Sequence, residues 1–291
     1  MRRLSGFILT IVSAVSFGVM PILARAAYAS GTDPITVLFL RFTTATIIMA
    51  AILIIKKIPL PKSRTFFQLM LMGGVGYVGQ SICYFTALTL ADASLVALLL
   101  YLYPILVAVL SFIFLHEKVN KAKIIALVMA LAGSALTIGF SGEGKAGGII
   151  LGISAAVIYS IYIVSGSRVM EKVQALPAST VIIFSAAVVY SGIAAVRGVV
   201  FPTTTGGWLA VFGVAVIGTV IAIGTFLAGM ERIGPTNAST VSTLEPAVTV
   251  ILAGLLLGED LSLAKIVGGV LILAAVILLT RADKKGEIPS Q

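Results

Sequence analysis

One stretch of this chain is written twice. Across residues 93–123 an apolar run breaks at Tyr103-Pro104, resumes, and ends in His116-Glu117 ahead of Ala122-Lys123-Ile124. Moved on by 142 positions, the pattern returns without a gap. Glu245-Pro246 interrupts a second apolar run, which ends in Gly258-Glu259 ahead of Ala264-Lys265-Ile266. Solenoid units recur every ~20 to 50 residues, far short of this period, so the chain is a duplication of one half-length unit.

What that unit folds into follows from its apolar content. The 291 residues are 59% hydrophobic and 11% charged, against roughly 25% charged in a soluble domain. A globule of this size cannot hide so much apolar surface, whereas a bilayer solvates it. Apolar runs of ~17 to 25 residues predict ten transmembrane helices at 5–27, 35–56, 66–89, 93–115, 122–140, 147–168, 178–197, 207–230, 236–257 and 264–281. The first run is too long for a cleaved signal core, which predicts a retained helix. Connections are too short for an extramembrane domain. The expected architecture is an all-α polytopic membrane protein with five-helix repeats over 5–140 and 147–281, and residues 282–291 as a disordered cytoplasmic tail.

Five is an odd number of crossings, so the second repeat enters the membrane inverted. Charge supports this. With the N-terminus in the cytoplasm, 15 of the 20 Lys and Arg residues fall in inner segments and 4 in outer ones, with Arg41 inside a helix. Both termini are therefore expected in the cytoplasm, and the protein in the inner or plasma membrane. The net charge of +9 reflects this orientation signal, so no nucleic-acid partner is expected. The single cysteine, Cys83, excludes an internal disulfide. Inverted repeats place a substrate site near the bilayer midplane and alternate access by rocking one half against the other.

The doubled five-helix plan, with Arg41-Phe42 in helix 2, Leu244-Glu245-Pro246 in helix 9 and the His116-Glu117 and Gly258-Glu259 helix ends, resembles the drug/metabolite transporter superfamily, in particular its bacterial EamA-type members. The resemblance covers about 6–140 and 148–281. It implies export of amino acids, other small metabolites or drugs. The repeats differ at two marker positions: Tyr103 stands where the second has Glu245, and His116 where it has Gly258.

Arg41 and Glu245 are the charges placed deep in hydrocarbon, where each costs at least ~2.5 kcal/mol unless paired or hydrated. Counting 1.5 Å per residue, their backbones lie within about 7 Å in height, a distance two long side chains can span. The pair reads either as a structural salt bridge or as a site in which Glu245 binds a substrate amine or carries a coupling proton. Pro104 and Pro246 each remove a backbone donor at matching depth, which reads as a hinge or a plain kink. Residues 236–245 carry Thr236, Asn237, Ser239, Thr240, Ser242, Thr243 and Glu245. This polar half-helix is expected to face protein or the cytoplasmic side of a pathway.

Tyr77, Gln80 and Tyr84 share one helix face, as do Tyr159 and Tyr162, while Tyr101 and Tyr103 approach Pro104. Such rings suit a small amphipathic solute or a membrane-interface belt. Tyr77 and Tyr101 are the belt candidates, and Tyr84, Tyr103 and Tyr162 the cavity candidates. Two strings are set aside. Gly74-Val75-Gly76-Tyr77-Val78-Gly79 matches the dinucleotide pattern but follows no strand, so it reads as close helix packing, as do Gly148/Gly152 and Gly254/Gly258. His116 has no metal-ligand spacing around it.

These observations predict a secondary transporter, monomeric or homodimeric, exporting a small metabolite such as an amino acid, with a polyspecific drug exporter as the alternative. No cofactor is expected, protons are a candidate coupling ion, and no nucleotide-binding motif points to ATP. An intramembrane hydrolase would need a nucleophile and base or a metal in the bilayer, which the sequence does not offer. A purely structural protein would leave the polar half of helix 9 without a use beyond packing.

Overall fold

A computed structural model describes residues 2–87, 90–91, 93–117, 120–138, 145–257 and 262–285. Its helices follow the apolar runs. They are α1 (Arg2–Ala29), α2 (Pro34–Ile55), α3 (Ser63–Leu71, a π-helical turn Met72–Tyr77, then Val78–Ala87), α4 (Ala93–Leu100, then Tyr103–Leu115), α5 (Lys121–Ile138), α6 (Ala146–Met170), α7 (Ala175–Arg197), α8 (Thr205–Ala215, a π-helical turn Val216–Ile221, then Ala222–Ile233), α9 (Pro235–Ser242, then Leu244–Leu257) and α10 (Leu263–Lys285). Among the described residues nine are long and apolar enough to cross a membrane. Only α4, cut by its break, falls short as separate pieces. Helix α10 runs to Lys285, four residues into the segment expected as tail, because Ala282-Asp283-Lys284-Lys285 has no helix breaker. Residues 286–291, Gly258-Glu259 and Lys118 lie outside the described residues.

The packing obeys a two-fold relation between the repeats. Helix α1 lies against α8 and α9 of the other repeat, and its counterpart α6 lies against α3 and α4. The second helices, α2 and α7, meet each other, as do the fifth, α5 and α10. Each repeat thus lends its first helix to the other, and neither has a complete core alone. Small residues permit the closest approach. A Cβ on Gly133 would sit 2.7 Å from the Gly268 carbonyl, and one on Gly268 2.6 Å from that of Gly133, so α5 and α10 touch backbone to backbone. The outside of the bundle is apolar, with Ile54 76%, Leu255 73% and Phe112 62% exposed, a surface that only lipid solvates.

The face carrying the N-terminus and the α2–α3, α4–α5, α6–α7 and α8–α9 connections is called the N-face below. At the other face, Asp33 caps α2 by accepting from the N–H groups of Ile35 (2.9 Å) and Thr36 (3.2 Å) and from Thr36 Oγ1 (2.5 Å). Thr36 Oγ1 in turn accepts from the Val200 N–H at 2.9 Å, and Thr32 Oγ1 donates to the Val200 carbonyl at 2.6 Å. Partial burial pushes the Asp33 carboxyl up, but these hydrogen bonds outweigh it and hold the group below its ordinary value.

Candidate functional site

Both fourth helices break in the middle of the bundle, and at matching places. Helix α4 stops after Leu100 and restarts at Tyr103, while α9 stops after Ser242 and restarts at Leu244. The breaks at Tyr101 and Thr243 are 142 positions apart. Pro104 and Pro246 stand in the first turn of the second pieces, where a missing N–H leaves no intrahelical bond unmade. They start new helices rather than kink old ones.

The restart of α9 puts Glu245 in the first turn of Leu244–Leu257, where the half-helix dipole favours a negative charge. The Tyr101 hydroxyl lies within reach of the carboxylate. Tyr84, Tyr103 and Tyr159 lie within its electrostatic reach. Glu245 keeps accessible surface in mid-bundle, whereas Tyr101 is 8% and Tyr103 3% exposed. Tyr103, the first-repeat counterpart of Glu245, points its hydroxyl at the Ser239 carbonyl at 3.5 Å, and its own carbonyl accepts from Ser160 Oγ at 3.3 Å.

Arg41 is also buried, 5% exposed, but it does not pair with Glu245. Its Nε donates to Thr219 Oγ1 at 2.6 Å, and Nη2 donates to the Gly218 carbonyl at 3.0 Å and to Tyr77 OH at 3.3 Å. Gly218 and Thr219 belong to the π turn of α8 and Tyr77 to that of α3, so one guanidinium ties both π turns to α2. The two turns begin 144 positions apart in equivalent helices; π turns recur at functional positions because they leave the local backbone bonding irregular. The direct ion pair that the sequence made feasible is replaced by this network, and Arg41 acts on Glu245 only through space.

A chain of rings links the two charges. Tyr190 stacks on Phe42 (5.5 Å), Phe42 meets Tyr77 (5.7 Å), Tyr77 meets Tyr162 (5.9 Å), Tyr162 stacks on Tyr159 (5.9 Å), Tyr159 meets Tyr103 (4.8 Å) and Tyr103 meets Tyr101 (6.2 Å). The Arg41 guanidinium carbon lies 4.8 Å from the Phe42 ring centre. Tyr77 and Tyr101, the belt candidates, are therefore inside the bundle: one accepts from Arg41 and the other lies within reach of Glu245. The sequence reading missed Phe42 as a ring in this chain, Tyr190 and Thr219. Phe42 stood beside Arg41 and could have been found, whereas nothing local marked Thr219 as an acceptor for Arg41.

The polar half of α9 is spent differently. Residues 236–243 are all buried, and all their hydroxyls but that of Thr236 turn back on their own helix. Ser239 and Thr240 donate to the Thr236 carbonyl, Ser242 to Ala238, and Thr243 to Thr240. Asn237 donates to the Ile233 carbonyl at 2.8 Å and borders a concavity of about 1130 Å³ on the N-face, which Glu245 does not line. Glu117, Lys123, Arg168, Glu171 and Arg232 also line this concavity. Glu117, at the end of α4, accepts from Thr236 Oγ1 (2.7 Å) at the start of α9 and pairs with Lys123 Nζ (3.1 Å). Gln80 is half-buried beside Ser81, whose hydroxyl lies 3.5 Å from its side-chain oxygen.

Of the glycines set aside above, Gly74, Gly76, Gly148 and Gly152 pack closely. A Cβ on Gly74 would meet Ser185 Oγ at 2.7 Å, on Gly76 the Tyr162 ring at 3.3 Å, on Gly148 the Ala91 Cβ at 2.9 Å and on Gly152 the Leu99 side chain at 2.9 Å. Gly79 does not pack closely, with nothing within 4 Å. His116 is exposed, in the left-handed turn that ends α4.

Interlocked inverted repeats, paired broken helices and a carboxylate at a half-helix start define a polytopic membrane transporter. Sequence comparison gives the family. The EamA-like transporter family matches twice, over residues 4–139 and 146–281, and the chain belongs to it. Relatives include the uncharacterized transporter YcbK of Bacillus subtilis (strain 168), 25% identical over 91% of this chain and 89% of its own. Another is the uncharacterized inner membrane transporter YhbE of Escherichia coli (strain K12), 25% identical over 86% of this chain and 81% of its own. A solved crystal structure superposes with a TM-score of 0.85 at 21% identity, covering 96% of this chain and 99% of the other, a likeness of fold alone.

Proposed function

We propose that this transporter exports a small amphipathic metabolite bearing a protonated amine, such as an amino acid, by alternating access. The observation that carries the reading is Glu245, a half-buried acidic residue at a half-helix start in mid-bundle, with Tyr101, Tyr84, Tyr103 and Tyr159 within its electrostatic reach. A cationic amine gains there from the carboxylate and from ring faces together, while the rings stack the apolar remainder of the solute. Arg41 is a structural tie whose guanidinium is occupied, and the paired breaks at Tyr101 and Thr243 are the hinges. Because 15 of 20 cations fall on one side when the N-terminus is cytoplasmic, the N-face is the cytoplasmic one.

The aromatic chain favours a second reading, a polyspecific exporter of aromatic amines, since stacking surface tolerates many shapes. Counterflow in proteoliposomes separates the two. Pools of labelled amino acids are expected to exchange and unrelated aromatic amines not to compete; the reverse result selects the second reading. Glu245→Gln is expected to lower counterflow at least tenfold while the protein elutes and melts as the parent does. Unchanged exchange at every pH would remove Glu245 from both substrate binding and proton coupling.

A further inference from the structure

On the outside of the bundle, α2, α3 and α7 enclose a groove of about 490 Å³ that the substrate reading does not use. Its walls are Thr46, Ala50, Leu53 and Ile54 of α2, Phe66 of α3, and Thr180, Val181 and Phe184 of α7. The two hydroxyls have no proton to spare for a ligand, because Thr46 donates to the Phe42 carbonyl and Thr180 to that of Leu176, both at 2.8 Å. From Thr46 to the end of α2 the groove runs ten residues, roughly 14 Å at 1.5 Å per residue, or about one leaflet of a ~30 Å hydrocarbon core. It is therefore as long as an acyl chain, equally apolar, and open to the side where acyl chains are.

Its N-face end is cationic. The α2–α3 connection reads Lys56-Lys57-Ile58-Pro59-Leu60-Pro61-Lys62, with Arg64 beyond. Lys57, Ile58, Pro59 and Leu60 line the groove mouth. Lys57 has left-handed backbone (φ 52°) in a turn closed by its N–H to the Ile54 carbonyl and by the Ile58 N–H to that of Leu53. Glycine is the usual residue at this position of such a turn, so the chain keeps a cation where an unstrained alternative exists.

We propose that this groove holds one anionic phospholipid, with an acyl chain between α2 and α7 and its headgroup phosphate on Lys57 and the neighbouring Lys56, Lys62 and Arg64. A zwitterionic lipid has a chain that fits, but its headgroup gains less from four cations with no acid among them. This inference is independent of the substrate.

The test is native mass spectrometry of the detergent-purified full chain, titrated with phosphatidylglycerol or phosphatidylcholine. One phosphatidylglycerol is expected to stay bound at activation energies that strip phosphatidylcholine. Ala50→Trp, which fills the groove without changing charge, is expected to abolish the retained lipid. Lys57→Gly, which removes the cation and relieves the turn, is expected to weaken retention about fivefold, the factor one lysine near an anionic headgroup contributes. Lys172→Gln, on the same face but outside the groove, is expected to behave as the parent. Equal retention of both lipids, undiminished retention in Ala50→Trp, or a lipid-free dimer in place of the lipid-bound monomer would overturn the proposal.

Discussion

Asp33 and Arg41 show how polar residues are held in this bundle. Asp33 caps α2 with hydrogen bonds from Ile35 and Thr36, and Thr36 in turn receives Val200 from the α7–α8 connection. Asp33→Ala should therefore cost about 1 kcal/mol, the usual worth of a cap, and Asp33→Asn less, since an amide oxygen still accepts. Because the folded carboxyl titrates below its ordinary value, its contribution is complete above that ordinary value and is lost as pH falls through the lower one. Thermal melts at descending pH should bring parent and Asp33→Ala together. Arg41→Lys should lower the melting temperature, because one ammonium cannot reproduce the planar fork that meets Thr219, Gly218 and Tyr77 at once. Arg41 and Glu245 were legible in the sequence because a charge in an apolar run is costly. Their separation was not, since helix rise gives height and says nothing about the π turns that capture the guanidinium. Tyr101 was underrated for a similar reason: only the break beside it turns the ring inward.

At the level of elements, the sequence carried the ten helices, their doubling and the two proline sites. It did not carry the π turns. A π turn adds no residue type of its own, and the glycines at α3 read equally well as α-helix packing. Those glycines make the geometry testable. A Cβ on Gly73 would lie 2.2 Å from the Ile182 carbonyl of α7, whereas Gly79, two turns further along, faces open space. Gly73→Ala cannot be absorbed by a side-chain shift, since backbone meets backbone, so it should separate α3 from α7 and cost at least about 2 kcal/mol. Gly79→Ala should be neutral or stabilising by up to about 1 kcal/mol through helix propensity. Parallel thermal melts of the two variants check this, and equal destabilisation would show that α3 is not threaded against α7 as described.

For the whole molecule, the informative feature is where its two-fold relation fails. The N-face halves of α4 (Tyr103–Leu115) and α9 (Pro235–Ser242) pack together, while among the described residues their opposite-face counterparts, Ala93–Leu100 and Leu244–Leu257, do not pack to a like extent. Thr236 with Glu117 and Lys123 fastens the packed side. The sequence holds the same residue types 142 positions away, as Ser94, Glu259 and Lys265, of which Glu259 lies outside the described residues. On the alternating-access proposal one side is fastened while the other is parted, and this contact between α4 and α9 is the candidate fastening. Thr236→Val and Glu117→Gln should each weaken the fastening by about 1.5 kcal/mol, the worth of a hydrogen bond to a charged group, and so shift the balance between states roughly tenfold. The measurement uses a Cys83→Ala background with Thr243→Cys placed at the break of α9, and a membrane-impermeant thiol reagent applied from either side. Labelling from the N-face should speed up in both variants and labelling from the opposite face should slow. If both rates stay at the parent value, Glu117 and Thr236 join α4 to α9 without gating anything.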